Sequence, residues 1–263
     1  MHNKPLVTVV IPFYRDVKYL FAAIRSVLTQ TYKNFEILLI YDNECKDDLD
    51  QIKKFIKLKN KYTSSLIKIH INKKNLGAGY SRNIGIKKST TKYIAFLDSD
   101  DIWLKNKLET QINYMEKNDL VFSHTSYFII NEKNKIVDFR KAKKFINFEY
   151  LLKSCDVGLS TVIVKLQFLK KNKYYFPKIR TKEDFVLWLK IVHKIDFLYG
   201  INKKLTYYRK TNSSLSSNKI ISLINGYKVY RKYMGFSIAK SIYFLFILSI
   251  NFIKKNFKNK KKN

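Results

Sequence analysis

Apolar residues in the first hundred positions alternate between unbroken runs and helix-spaced sets. Val7 to Ile11 is a β-branched run closed by Pro12, and Asp16 stands before Val17, Leu20, Ile24, Val27 and Leu28. The run predicts a buried strand; the spacing that follows predicts a helix capped by Asp16. The pair recurs as a strand from Glu36 to Tyr41 and a helix from about Asp47, with Leu49, Ile52, Phe55 and Ile56 on one face. Leu66 to Ile71 reads as a third strand, the loop Asn75 to Gly79 opens another helix, and Tyr93 to Leu97 is a fourth strand. Strands separated by helices form βαβ units, so the expected fold class is α/β with a mostly parallel central sheet and flanking helices.

Past Trp103 the pattern loosens. A helix to about Lys117 would bury Leu108, Ile112 and Met115, and Leu120 to Ile130 with Ile136 to Arg140 reads as a hairpin around a polar turn. Thr161 to Val164 and Thr206 to Arg209 read as short strands, and Glu183 to Val192 as a helix. No repeat or Pro-, Gly- or Ser-rich linker divides the chain, which predicts one domain over 1–219 and a helical, basic tail over 220–263. The apolar stretch Ser241 to Ile253 falls short of the roughly 20 residues that span a bilayer. Six lysines between Lys254 and Lys262 follow it. That combination suits an interfacial helix on an anionic membrane, or a helix packed on its own domain with a frayed basic end.

Composition narrows the classes. Hydrophobic residues make up 46% and aromatics 15%, which argues for a folded chain. The balance of 52 basic to 20 acidic residues, +32, points to a polyanionic partner or to AT-rich coding bias, since Gly is 7 and Pro is 3. Cys45 and Cys155 form no C-x-x-C, and the N-terminus has no signal-peptide apolar region, so a reducing cytoplasmic setting is expected. His2, His70, His124 and His193 lack ligand spacing for zinc.

The fourth strand runs directly into Asp98, Ser99, Asp100 and Asp101. Crowded carboxylates repel unless a cation lies between them, and Mg²⁺-type ions bind through one or two carboxylates plus substrate phosphates. An acidic turn capping the next helix, with Asp101 as the cap, is the plainer use. Asp42 follows the second strand, and open parallel sheets bind ligands beyond their carboxyl ends. Arg82 suits either a phosphate or the bracing of an acidic pair. Together these describe a nucleotide-diphosphate pocket. Gly77-Ala78-Gly79 lacks the third glycine and the first-strand position of a dinucleotide fingerprint. Trp103 and Trp188 fall in amphipathic helical patterns as core anchors, with Trp103 able to edge an acceptor cleft, and Cys45 has no activating neighbour.

VTVVIPFYR (Val7 to Arg15), SVLTQTYKNFEI (Ser26 to Ile37), NLGAGYSRNIGI (Asn75 to Ile86) and YIAFLDSDDIW (Tyr93 to Trp103) resemble glycosyltransferase family 2. RTKEDFVLWL (Arg180 to Leu189) and YYRKTNSSLSSNK (Tyr207 to Lys219) extend the likeness, in the branch that builds bacterial surface and teichuronic-acid-type polysaccharides. The resemblance implies a GT-A fold and inverting transfer from a nucleotide-diphosphate donor, a UDP-sugar, to a hydroxyl of a lipid-linked glycan. Residues 1–103 would bind the donor, and 104–219 the acceptor and base. By the same resemblance Pro12 and Tyr14 line the nucleotide pocket, Asp42 accepts from the uracil N–H, and Arg82 and Ser99 lie near the diphosphate. Asp98 and Asp100 would hold Mn²⁺ or Mg²⁺, Asp100 most directly, and Asp184 of the Glu183-Asp184 pair would be the catalytic base. Tyr41-Asp42-Asn43-Glu44 replaces the family's acidic pair and glycine, and Arg15 its usual Asn.

One carboxylate opposite the leaving group suffices for inversion, because the acceptor hydroxyl needs a base in the transition state. Acidic residues in a first helical turn, such as Glu183 and Asp184, also serve the helix dipole. The expected partners are the nucleotide-sugar, the acceptor and an anionic membrane, with no nucleic acid, at the inner face of the cell membrane. A nucleotide-sugar-binding protein without transferase activity would have lost the base, and Asp184 is present. A basic nucleic-acid-binding protein is the third reading, and the acidic cluster in the cleft argues against it.

Overall fold

A computed structural model describes residues 6–62, 66–211 and 219–260. Strands β1 (Val7–Phe13), β2 (Phe35–Tyr41), β3 (Ile67–Ile71) and β4 (Tyr93–Phe96) alternate with helices α1 (Val17–Leu28), α2 (Lys46–Tyr62) and α3 (Ala78–Lys88). The four strands are parallel, in spatial order β3-β2-β1-β4. All seven positions of β1 and of β2 are buried, which is why both read as near-continuous apolar runs, interrupted by Thr8 and Glu36, which bond to each other at 2.9 Å. Pro12 does not close β1 but lies inside it, in register with Ile40. Its missing N–H faces β4, whose pairing with β1 stops at Val10, so no ladder bond is lost.

The second half completes the sheet. It comprises β5 (Ile102–Trp103), α4 (Lys107–Lys117), β6 (Phe122–Ile130), β7 (Ile136–Arg140), β8 (Phe145–Ile146) and α5 (Phe148–Lys153). Then come β9 (Ile163–Lys165), α6 (Leu166–Lys171), α7 (Glu183–Ile195) and β10 (Leu198–Arg209). The order continues β9-β6-β10-β5, with β9 antiparallel to β4 and β6, and β10 parallel to β6. The expected hairpin is present, β7 pairing antiparallel with β6. Alternate strand residues feed two cores: Val9, Ile11 and Leu39 pack toward α1, α2 and α4, while Val10, Ile40 and Phe96 pack toward α5, α6 and α7.

Two local expectations need correction. Asp101 caps no helix: it is buried, its Oδ1 accepts the Arg209 N–H at 2.8 Å, and Asn106 precedes α4 instead. Trp103 lies in a strand, not a helix, and is a core anchor whose Nε1 donates to the Ser160 carbonyl at 2.7 Å. Trp188 is likewise fully buried.

The segment expected to trail as a tail is packed on the domain. Helix α8 (Lys219–Lys228) leads through a π-helical turn (Val229–Tyr233) into α9 (Ile238–Lys260). Val229, Tyr230, Phe244 and Leu248 join the α7 side of the core. Tyr230 Oη donates to the Leu152 carbonyl at 2.6 Å, and Asn251 Nδ2 to that of Lys153 at 2.9 Å. The lysines beyond Lys254 lie outside the described side chains, and most of the Tyr207 to Lys219 motif lies outside the described residues.

Helix α3 reaches the sheet at Gly85, where an added Cβ would stand 2.5 Å from Val10 Cγ1. Gly85→Ala is therefore expected to destabilise the fold by about 1–3 kcal/mol through overpacking. Thermal unfolding measures this, and an unchanged midpoint would show that α3 can step back from β1.

Candidate active site

The carboxyl ends of β1, β2 and β4 form one edge, and the candidate residues gather there. Asp98 leaves β4 with its N–H donating to Ser160 Oγ at 3.0 Å. Arg82, buried on α3, donates from Nη2 to Asp98 Oδ1 at 2.7 Å and from Nη1 to Glu183 Oε1 at 2.7 Å. Its guanidinium lies over the Phe176 ring at 5.4 Å. Of the two uses the sequence suggested for Arg82, the structure shows the bracing of acidic groups: both terminal nitrogens are engaged by carboxylates of the chain itself. That bridge joins residues 101 positions apart and brings the acidic end of β4 to the start of α7.

Helix α7 starts from Lys182, whose φ of 67° is left-handed in a residue with a Cβ. Such strain persists only where the surroundings hold it. Thr181, just before it, accepts at Oγ1 from Asn225 Nδ2 of α8 at 2.9 Å. Gly79 of α3 lies against the next residue, since an added Cβ would meet Glu183 Cγ at 3.3 Å. Asp184 is half-buried and free of ion pairs among the described contacts, with Oδ1 accepting the Phe185 N–H at 2.7 Å. Burial, reinforced by the Glu183 charge, pushes the Asp184 carboxyl up to about 7.

The loop Asp98 to Asp101 is pinned from β10. Arg209 Nε donates to the Asp100 carbonyl at 2.9 Å while its backbone N–H holds Asp101. Burial and the Asp98 charge push Asp100 up to about 6, and burial with both neighbouring carboxylates raises Asp101 further. Ser99 is half-buried between them. The sequence offered Arg209 only as part of a strand and of the YYRK run. Its partners, Asp100, Asp101 and the Asn131 carbonyl at 3.1 Å, lie 78 to 109 residues away, which no local pattern encodes.

At the other end, Asp42 is 2% exposed. Oδ1 accepts from Asn72 Nδ2 at 2.7 Å and from the Leu76 N–H at 2.8 Å, and Oδ2 from the Gly77 N–H at 2.7 Å. A carboxylate has about four acceptor sites, so one remains. Asp42 thus fixes the loop that opens α3, a role its sequence position did not announce. Pro12 is buried below, and Tyr14, 48% exposed, carries the Arg15 guanidinium over its ring at 4.7 Å. Arg15 and Asp16 are both left-handed, with φ 65° and 62°, and Asp16 makes no side-chain cap bond to α1, contrary to the cap expected.

Among the described residues, no group of three or more His, Cys, Asp or Glu side chains could hold a metal ion. The hard oxygen donors of Asp98 and Asp100 nonetheless fit a Mg²⁺-type ion, which takes one or two carboxylates and completes its shell from phosphate and water.

Residues 8–175 match glycosyl transferase family 2. A glycosyltransferase of Rickettsia conorii is 40% identical over 230 residues, 85% of this chain and 36% of that protein. The chain thus spans about a third of that relative's length. The Escherichia coli UDP-Glc:alpha-D-GlcNAc-diphosphoundecaprenol beta-1,3-glucosyltransferase WfgD is 38% identical over 262 residues, 98% of each chain. Among solved structures, Staphylococcus aureus TarS 1–349 in complex with UDP-GlcNAc superimposes with a TM-score of 0.69 at 21% identity, covering 91% of this chain and 70% of that one. The Pyrobaculum calidifontis mannosyltransferase PcManGT in complex with GDP-Man and Mn²⁺ gives 0.65 at 10% identity, covering 94% and 72%. The fold is GT-A, as expected from the sequence.

Proposed function

This chain belongs to glycosyl transferase family 2, and from that membership we propose that it transfers a sugar, with inversion, from a UDP-sugar to a hydroxyl of a lipid-linked glycan. The observation that carries this reading is the Arg82 bridge, which sets the acidic end of β4 and the Glu183-Asp184 turn at one mouth. The relative acting on a diphosphoundecaprenol-linked acceptor supports the choice of acceptor, and bacterial surface polysaccharide synthesis as the setting.

In the proposed reaction the acceptor O–H gives its proton to Asp184 as its oxygen bonds to the anomeric carbon. The bond from that carbon to the diphosphate oxygen breaks on the opposite face, and the nucleoside diphosphate leaves with the electron pair. An elevated base is suited to this step, since a general base works best with its pKa near the operating pH. Glu183 stays paired to Arg82 and fixes the start of α7. Pro12 and Tyr14 wall the base of the nucleotide, and the free acceptor site of Asp42 takes a nucleobase N–H. Ser99 faces the diphosphate. Asp98 and Asp100 would hold a divalent cation, Mn²⁺ or Mg²⁺, which when bound stabilises charge on the leaving diphosphate as a Lewis acid. The setting we propose is the cytoplasm, on the inner face of the membrane, where a relative's diphosphoundecaprenol-linked acceptor supports it.

Turnover of UDP-sugars is expected to stop on exhaustive chelation and to return with Mn²⁺ or Mg²⁺. Asp100→Ala is expected to abolish the metal-restored part. Screening UDP-sugars for donor hydrolysis and for transfer to an undecaprenyl-diphosphate-linked sugar measures both. Full activity after chelation would remove the cation from this scheme. No turnover of any nucleotide-sugar would overturn the reading itself.

A further inference from the structure

Helices α8 and α9 lie side by side, with Gly226 of one beneath Leu245 of the other, where an added Cβ would meet Leu245 Cδ1 at 2.8 Å. Each buries one face in the body, through Asn225 on α8 and through Ser241, Phe244 and Leu248 on α9. Their remaining faces are apolar and open: Leu223 and Ile224 on α8, and Ile242 (56% exposed), Phe246 (63%) and Ile253 on α9. Exposed apolar side chains of this size gathered on two touching helices mark an interaction surface.

Charge identifies what covers it. Lys228, Arg231, Lys232, Lys240 and Lys254, all exposed, lie in the same two helices and the turn that joins them. From Phe197 to Asn263 the sequence has fifteen Lys and Arg and no Asp or Glu. A second copy of the chain would bring like charges together. A nucleic acid would meet the lysines but leave Ile242 and Phe246 in water. An anionic bilayer satisfies both parts, as it does for amphipathic helices lying in the interface. Among the described residues no helix is long and apolar enough to cross a membrane, so α9 would lie in the plane.

We propose that the outward face of α8 and α9 docks on an anionic phospholipid bilayer, with the apolar stripe in the acyl boundary and the basic rim on the headgroups. The membrane-facing set differs from the one the sequence outlines, because Phe244 and Leu248 belong to the core and Leu223 and Ile224 come from a second helix. Deleting 237–263 would therefore open the core, and exposed point substitutions are the sounder probe. On its buried side α8 adjoins the reaction site. Asn225 holds Thr181, two residues before Glu183, and an added Cβ on Gly226 would lie 3.6 Å from Lys182 Cε. Docking would bring the base-bearing turn to the membrane surface, an orientation whose use rests on the lipid-linked acceptor proposed above.

Flotation of the full chain with phosphatidylglycerol–phosphatidylcholine vesicles at low salt tests the surface. Wild type is expected to float with them, and at least tenfold less with phosphatidylcholine alone. Ile242→Glu with Phe246→Glu is expected to lower binding at least tenfold while circular dichroism and UDP-sugar hydrolysis in solution stay unchanged. Wild type remaining unbound on anionic vesicles would overturn the proposal, as would undiminished binding by the double variant. So would a wild-type dimer, seen by light scattering, that the variant converts to monomer. Vesicle binding without transfer to any lipid-linked acceptor would retain the docking face and overturn only the acceptor assignment.

Discussion

Asp184→Asn is expected to lower sugar transfer by about 10² to 10⁴-fold, the usual worth of a positioned general base, and to leave UDP-sugar affinity close to wild type. The amide occupies nearly the same space and can still accept the Phe185 N–H, so the start of α7 keeps its shape. It cannot take a proton. The pH dependence separates this role from a structural one. With its carboxyl raised to about 7 by burial and Glu183, Asp184 in the proposed role would be protonated and idle below that value and competent above it. Wild-type transfer should therefore rise as pH increases through about 7, and the variant's residual rate should lose that limb. If Asp184→Asn retains near-normal transfer while Glu183→Gln does not, the base is Glu183. Steady-state transfer assays on both variants between pH 5 and 9 decide it.

Arg82→Ala is the second large effect, and it strikes stability and activity together. Removing one member of a buried ion pair leaves an uncompensated charge and costs about 3–5 kcal/mol. Here one guanidinium serves two carboxylates, but Asp98 retains 28% side-chain exposure and Glu183 15%, so water recovers part of the loss. We expect the lower end, about 3 kcal/mol, and a midpoint lower by about 6–12 °C for a chain of this size. Transfer should fall as well, because Asp98 and Glu183 then repel across the mouth they share. Arg82→Lys should recover little, since one ammonium cannot present two parallel forks. A variant that unfolds at the wild-type temperature would show that the two acidic groups do not depend on this cation. Differential scanning calorimetry with matched transfer assays measures both losses.

Strands β1, β2 and β4 were legible because burial on both faces makes them nearly continuous apolar runs, with Thr8 and Glu36 bonded to each other inside, whereas β3 alternates Ile67, Ile69 and Ile71 with Lys68 and His70. The acidic residues at strand ends could be named for the same reason: an abrupt change from apolar to Asp is a local signal. What the site does with them was less legible. Asp101 follows the local rule for a cap, yet its partner is the Arg209 N–H, 108 positions on. Asp42 looks like a ligand-facing acid, and it spends three acceptor sites on the loop opening α3. In α8 Asn225 and Gly226, which the sequence did not single out, each serve a neighbour: Asn225 bonds Thr181, and Gly226 admits the close approach of Leu245. Such pairings depend on the assembled sheet.

Helix α3 meets a different part of the site at almost every turn. Gly79 gives room to Glu183, Ser81 accepts from Asn72, Arg82 spans Asp98 and Glu183, Asn83 exchanges two hydrogen bonds with the Phe176 backbone, and Gly85 rests on Val10. A single residue inserted near Gly79 would rotate everything after it by about 100° around the helix axis. Arg82 would leave its carboxylates at the same moment that a residue with a Cβ arrived over Val10. By contrast, α2 buries only Ile52 and Ile56, and past Asn60, which bonds the Ile67 backbone, its exposed Lys61 and Tyr62 can absorb a change of length. Drift in the length of this chain is thus admissible on one flank of the sheet and barred from the helix that threads the site, whatever sugar it comes to carry.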